Sequence, residues 1–197
     1  MNTINYNVKE MNTSSISELG LTITKSLSKE VKKEEGIYFT PLTIINKCYE
    51  LLFKYLDLSK EISVCEPSCG SLEFITNDNF NKIQAKNIVC YELNKFIYDS
   101  ILYLQNDNIK IINNDYLTSS VNDKYDLIIG NPPYFVTKNK LYNEYYTGRP
   151  NIYIQFIIHS LLKLNTNGIL CFVIPLTLLS SKYYEKTRNF IKTILVS

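Results

Sequence analysis

The stretch from Tyr125 to Tyr134, Y-D-L-I-I-G-N-P-P-Y, holds the side chains whose types and spacing define a chemistry most sharply. An exocyclic amine on a base or an amide carries two N–H donors and a nitrogen lone pair lost to conjugation. Making that nitrogen attack an electrophile requires acceptors for both N–H groups and no competing donor. Asn131 can supply a side-chain oxygen, and Pro132 a backbone carbonyl. Pro132 and Pro133 fix the backbone and add no N–H of their own. Tyr134 offers an aromatic face on which a flat group, such as a flipped base, could stack. A Pro-rich turn with a packed tyrosine would use the same residues, so the reading depends on what else lies in register.

Three further strand ends carry polar residues. Ile62 to Cys65 reads as a strand followed by Glu66-Pro67-Ser68-Cys69-Gly70-Ser71. Ile88 to Tyr91 ends at Glu92 and Leu93, and Ile109 to Ile112 leads to Asp115 and Tyr116. Glu92 lies roughly 20 residues beyond Gly70, the separation at which an acid meets a ribose diol. Asp115 could accept from an adenine amine, with Tyr116 beside it as a stacking face. A dinucleotide site needs a G-x-G-x-x-G turn that approaches a pyrophosphate. This loop has a single glycine and opens with Glu66, which repels phosphate. A carboxylate suits a ligand bearing an ammonium and a sulfonium, as S-adenosylmethionine does, and that favours the methyl donor over NAD.

The elements that must position these residues alternate. Met1 to about Ser15 is polar and reads as loosely attached. Ser17 to Lys33 has apolar residues every fourth position and predicts one helix stopped by Gly36. Thr40 is a natural N-cap and Pro41 a first-turn residue for a helix over Leu42 to Leu58. Phe74 to Ile83 is a crossover interrupted by Asn and Asp. Helices are expected over Lys95–Gln105, Asn151–Leu164 (stopped by Asn167-Gly168) and Tyr183–Ile191, with strands at Ile169–Ile174 and from Ile194 to Val196. This alternation predicts an α/β, Rossmann-like chain with a mainly parallel sheet covered on both faces. The sheet is expected to lack its usual last, antiparallel strand.

Size and charge narrow the function classes. A chain of 197 residues is long enough for one well-cored domain, and 45% hydrophobic with 20% charged residues describes a globular protein. The net charge of +2 and pI of about 8.1 imply no strong field for polyanions. Nucleic-acid contact would need a local patch, and the loop Phe135–Pro150 supplies one in Lys138, Lys140, Tyr146 and Arg149. Sixteen tyrosines and no tryptophan, with heavy use of Asn, Ile and Lys, read as AT-rich codon usage. The five cysteines, Cys48, Cys65, Cys69, Cys90 and Cys171, and the single histidine, His159, make no zinc set, so no metal is expected. Reduced, buried thiols fit a cytoplasmic, intracellular protein, and no signal peptide or long apolar span suggests a membrane.

The motif N-P-P-Y resembles that of amino-methyltransferases using S-adenosylmethionine, above all the N6-adenine DNA methyltransferases of restriction-modification systems. The loop E-P-S-C-G-S-L-E-F is similar to that family's first motif at Glu66, Pro67, Cys69, Gly70 and Phe74. It departs at Leu72, where the family has a glycine, and a leucine there is expected to crowd the methionine end or shift the turn and lower cofactor affinity. G-I-Y-F-T-P at Gly36–Pro41 resembles the segment that closes over the methionine. Y-Y-T-G-R-P-N-I-Y and G-I-L-C-F-V-I-P resemble later family segments, so the similarity runs from Gly36 to about Val196, with T-P before N-P-P-Y. The resemblance implies catalytic Asn131, Pro132, Pro133 and Tyr134. It implies a cofactor site of Phe39, Thr40, Glu66, Ser68, Cys69, Gly70, Glu92, Leu93, Asp115, Tyr116 and Asn131, with Glu92 on the ribose and Tyr116 on the adenine ring. It implies DNA as partner, and it divides the chain into a segment 1–34 and a catalytic domain 35–197 without a target-recognition domain, for which a truncated gene and a split enzyme with a second chain supplying recognition are both open readings. A glutamine-N5 protein methyltransferase, an RNA adenine methyltransferase and a non-catalytic or split subunit stay open as alternatives.

Overall fold

The computed structural model describes residues 16–196. The expectation for Met1 to Ser15 lies outside the described residues. Five strands form one all-parallel sheet: β1 (Glu61–Glu66), β2 (Gln84–Tyr91), β3 (Ile109–Ile112), β4 (Tyr125–Gly130) and β5 (Leu164–Phe172), in the order β3-β2-β1-β4-β5. β4 is buried along nearly its whole length because layers cover both faces of a parallel sheet, and its apolar run Leu127-Ile128-Ile129 answers to that. On one face lie α1 (Glu18–Ser26) and α3 (Leu42–Leu52). α5 (Ile152–Leu162) belongs to the other face's core, where it packs with α7 (Glu185–Val196). α2 (Lys29–Glu35), α4 (Lys95–Ile101) and α6 (Thr177–Ser180) complete the set.

The order reverses at β1, whose neighbours are β2 on one side and β4 on the other. Such a switch point opens a crevice at the carboxyl ends of the two strands. Those ends are Glu66 and Gly130, the latter followed by Asn131. Sheet topology therefore sets the first and last polar motifs side by side, although they are far apart in the chain. At the opposite end Asp126 locks the register. Its carboxylate accepts from the Ser63 backbone N–H and hydroxyl (2.8 Å each) and from Asn165 Nδ2 (2.7 Å).

Several boundaries differ from the sequence expectation. Ser17–Lys33 is two helices, not one, because the Ser28 hydroxyl accepts from Val31 N–H (3.2 Å) and starts α2 afresh after Leu27 turns extended. α3 starts at Leu42 with Pro41, not Thr40, as its N-cap, and it ends at Leu52, since Phe53 to Ser59 forms turns rather than continuing to Leu58. Asn167-Gly168 does not stop a helix. α5 already ends at Leu162, and Asn167 (φ 62°) lies inside β5, where the register jumps from Tyr125↔Leu164 to Leu127↔Ile169. Ile194 to Val196 is the last turn of α7 rather than a strand, since Phe190, Ile191 and Ile194 keep helical spacing against the α5 cluster. The sheet thus has five strands among the described residues, with no sixth.

Lys163, just past α5, is fully buried. Its ammonium donates to Ser119 Oγ and the Ser120 carbonyl (2.8 Å each) and sits over the rings of Tyr91, Tyr116 and Tyr125. Three aromatic faces and these oxygens stand in for the water the ammonium has lost.

Leu72 adopts φ 62°, the left-handed region that a glycine would enter freely, and its side chain is wholly buried in the core cluster. It lines neither of the cavities beside the loop, so the expected crowding of the methionine end does not occur. The leucine's left-handed backbone costs about 1–2 kcal/mol, whereas removing a buried leucine side chain costs about 2–5 kcal/mol. Packing wins. Leu72→Gly is therefore expected to lose about 1–3 kcal/mol in urea denaturation, with cofactor affinity unchanged in calorimetry. A variant as stable as the parent would show that backbone strain dominates this turn.

Candidate functional site

The site begins with one amide. Asn131 leaves β4 with its side-chain nitrogen 3.3 Å from the Tyr38 carbonyl and 3.0 Å from Thr40 Oγ1. A carbonyl only accepts, so the NH2 end must face Tyr38, and Oδ1 must face the other way. There the Tyr134 hydroxyl meets it, and that hydroxyl also lies against the Val173 carbonyl. Tyr134 is half-buried, edge-on to Tyr153 (6.0 Å between ring centroids), and does not line the cofactor-side cavities. Burial holds its phenol well above the usual tyrosine range, so the group is a neutral donor. Pro132 is buried beneath, and Pro133 reaches the cavity wall.

Gly36 seals the two segments together. It ends α2 in the left-handed conformation (φ 64°), and a Cβ there would come within 2.9 Å of Tyr134 N and 3.3 Å of Pro133 Cβ. Only a glycine lets the end of α2 lie directly on the N-P-P-Y backbone.

A cavity of about 200 Å³ runs from Asn131 across the strand ends, and a smaller one of about 30 Å³ adjoins it through Tyr38, Phe39, Ser68, Gly70 and Asn131. Phe39, Ser68, Gly70, Glu92, Leu93, Asp115, Tyr116 and Asn131 line the larger, and Thr40, Glu66 and Cys69 line the smaller. Ser68 donates to the Asn131 carbonyl (3.0 Å) and ties the first loop to the fourth strand. Cys69 donates its N–H to Tyr91 O (2.9 Å), with its thiol buried. Glu92 accepts from Gly70 N–H (3.0 Å) and Asn94 N–H (2.8 Å). Burial nevertheless pushes its carboxyl up to about 7, against the pull of those N–H bonds. Asp115 spends Oδ1 on Leu117 N–H (2.9 Å) as a cap. Leu93 is largely exposed at the rim.

Tyr116 is the site residue whose expected use meets competition. Its ring is 1% exposed and enclosed by Tyr91, Phe156 and His159, with its hydroxyl 3.0 Å from Ser160 Oγ. What it presents to the cavity is a supported wall rather than an open face. The apolar surface comes instead from residues that sequence reading did not single out: Ile37, Ile97, Phe135, Ile152 and Phe156. The Tyr38 carbonyl was missed too, because a backbone acceptor leaves no mark on residue type. Polar Ser71 and Glu73 inside the apolar loop S-L-E-F were the available signal for the small cavity.

That small cavity is electrostatically incomplete. Glu66 is 1% exposed, and its Oε2 has no hydrogen-bond partner. Burial, then the nearby Glu73 and Glu92, all push its carboxyl well above the usual range. Ser71 Oγ is likewise buried without a partner, whereas Glu73 is satisfied by Ser17 N–H (3.1 Å) and hydroxyl (2.6 Å). A buried carboxyl without a donor calls for a cationic ligand. In chemistry these residues fit S-adenosylmethionine: unpartnered Glu66 Oε2 and Ser71 Oγ would suit its charged methionine end, Glu92 a diol, and Asp115 an adenine amine.

The loop after Tyr134 forms a third cavity, of about 350 Å³, lined by Lys138, Lys140, Tyr146 and Arg149. The three cations are exposed, but Tyr146 is buried and hydrogen-bonded to Leu141 O (3.0 Å), so its ring supports the loop. His159 lies behind it and is packed, as its helix pattern suggested. Ser119 donates to Tyr116 O (2.7 Å), so His159 must donate to Ser119 through Nε2 (3.2 Å) and accept from Tyr142 through Nδ1 (2.6 Å). Burial and the Lys163 charge push the imidazole down to about 4, which keeps it neutral. No cluster suited to a metal ion and no helix long and apolar enough to cross a membrane occurs among the described residues.

Known proteins resemble this chain in sequence and in fold. Modification methylase CviBIII of Paramecium bursaria Chlorella virus NC1A is 33% identical over 189 residues, covering 93% of this chain and 49% of that protein. Type II methyltransferase M.CvrRI of Paramecium bursaria Chlorella virus XZ-6E is 32% identical over 171 residues, covering 85% of this chain and 43% of that protein. The chain thus spans about half the length of these curated relatives. Among solved structures, a putative class I S-adenosylmethionine-dependent methyltransferase from Listeria monocytogenes superposes with a TM-score of 0.68 at 20% identity, over 89% of this chain and 59% of that one. The methyltransferase subunit of a type I restriction-modification system from Streptococcus thermophilus gives 0.63 at 18%, over 79% and 38%. These two likenesses identify the fold as that of class I methyltransferases. The family model described as Eco57I restriction-modification methylase matches residues 9–197, and the chain belongs to that family.

Proposed function

We propose that this chain is the catalytic domain of a DNA methyltransferase that transfers a methyl group from S-adenosylmethionine to the N6 amine of adenine. The observation that carries the reading is the fixed orientation of the Asn131 amide, whose oxygen end is kept for a donor. Membership in a restriction-modification methylase family supports DNA as the acceptor. When bound, the cofactor would supply a methyl group on a sulfonium. Asn131 Oδ1 and the Pro132 carbonyl would then accept the two amine hydrogens of the target base, which restores nucleophilic character to its nitrogen. The incoming amine would displace the Tyr134 hydroxyl from Oδ1 and leave it to the Val173 carbonyl, and stacking on the base would need the Tyr134 ring to turn from its edge-on contact with Tyr153. Lys138, Lys140 and Arg149 would contact phosphates. Positioning and electrostatics would contribute most of the rate, with no side chain forming a covalent bond.

Radiolabelled methyl incorporation across DNA, RNA and protein tests the substrate class, and label in DNA alone is the expected result. Asn131→Ala should lower turnover by about 10²–10³-fold, as loss of a transition-state hydrogen-bonding group does elsewhere, with cofactor affinity kept. Incorporation by that variant at the parental rate would remove Asn131 from the chemistry.

Glu92 yields a pH dependence. Folded Glu92 keeps its proton to about 7, whereas a free carboxyl releases it near 4.5. The native state therefore binds more protons in that window, so this group's stabilising contribution is complete below about 4.5 and lost as pH rises through about 7. Cofactor affinity should move the other way, since a charged carboxylate is the stronger acceptor for a diol. Urea denaturation from pH 5 to 8 should show the parent's slope flattened in Glu92→Gln. Parallel curves for the two proteins would mean that Glu92 titrates normally.

A further inference from the structure

Building on the assignment of Asn131 as acceptor, we infer that Thr40 is a positioning residue for the Asn131 amide, and that the T-P segment thereby orients the catalytic oxygen as well as bordering the methionine end. Thr40 is buried, yet it does not cap the helix that follows it, since Pro41 occupies the N-cap position. Its hydroxyl oxygen lies 3.0 Å from Asn131 Nδ2, and the Tyr38 carbonyl lies 3.3 Å from the same nitrogen. Tyr38 can only accept, so the end of the amide facing Thr40 is NH2 and Thr40 must accept as well.

Two consequences follow from that geometry. First, a side-chain amide can turn end for end about its last torsion at little intrinsic cost. Turned over, Asn131 would present NH2 to an amine and repel it. The Tyr38 carbonyl forbids that rotamer, because the flipped amide would set its oxygen against another oxygen, and Thr40 adds to the hold by accepting the second amide hydrogen. Second, an amide that donates both hydrogens is polarised toward its oxygen, which strengthens Oδ1 as an acceptor. Thr40 also lines the small cavity with Glu66 and Ser71, and among the described residues its own hydroxyl hydrogen has no acceptor. The Thr40 side chain therefore stands between the cavity suited to the methionine end and the amide suited to the target.

The test uses the full chain labelled with ¹⁵N-asparagine, and the variants Thr40→Val, Thr40→Ser and Asn131→Ala. Asn131→Ala identifies the Asn131 side-chain NH2 signals by their disappearance. In the parent these protons should exchange more slowly than those of exposed asparagines. Thr40→Val, which keeps the shape and deletes the acceptor, should speed their exchange about tenfold, the equivalent of one hydrogen bond. Thr40→Ser, which keeps the hydroxyl, should restore protection. In methyl-transfer assays Thr40→Val should lower kcat by a similar factor with KM for DNA unchanged, and should add nothing in an Asn131→Ala background. Equal exchange in parent and Thr40→Val, or no recovery in Thr40→Ser, would overturn the positioning role. Full activity of Asn131→Ala would instead refute the catalytic assignment of Asn131, whatever the exchange rates show.

Discussion

One side-chain amide has two unlike ends, and everything proposed for this chain depends on which end faces out. The nitrogen of Asn131 is held by a backbone carbonyl and a threonine hydroxyl from a segment more than ninety residues upstream. That contact fixes the oxygen without any force applied to the oxygen itself. It also explains why the chain from Gly36 to Pro41 must lie flat on N-P-P-Y, and why a glycine with φ 64° sits at the point of closest approach. Tyr134 completes the arrangement by covering the acceptor with its own hydroxyl. The acceptor is only partly buried, so this internal donor covers it at little cost and can give way to another donor.

The sheet makes this contact possible. Because strand order reverses at β1, the ends of β1 and β4 lie next to each other, and Glu66 and Asn131 share one crevice. The two residues meet opposite needs. Asn131 has its donors satisfied and its acceptor covered, whereas Glu66 has an acceptor with nothing to accept from and is surrounded by other acids. The acids on one side of the crevice suit a cation, and a planar amine suits the other. Glu92 belongs to the same field: its backbone N–H partners cannot fully offset burial, so its charge is held near the balance point.

Much of this was legible in the residues. Strand ends at Glu66, Glu92, Asp115 and Asn131 follow from apolar β-branched runs broken by polar residues, a pattern that parallel sheets impose on their strands. Helix ends were less legible. Ser28 reads as one more polar residue on a helix face until its cap bond to Val31 is seen, and Asn167-Gly168 serves a bulge as readily as a helix stop. The short apolar run Ile194–Val196 is compatible with either period, and packing against α5 decided for the helix. Contacts that reside in backbone atoms, such as the Tyr38 carbonyl, leave no trace in residue type. Nothing in the sequence distinguishes Lys163 from a surface lysine, because its cage of Tyr91, Tyr116 and Tyr125 comes from three separate segments. Leu72 is a related case. A positive φ was foreseeable there, but the direction of the side chain, into the core and away from the cavity, was not.

A crystal structure with S-adenosylhomocysteine bound is the most direct measurement of the central claim. The amino group should lie within about 3.2 Å of Glu66 Oε2, with the ribose diol at Glu92 and the sulfur on the side of Asn131 toward which Oδ1 points. An Asn131 amide turned with its nitrogen toward the sulfur, or a ligand seated away from Glu66, would contradict it.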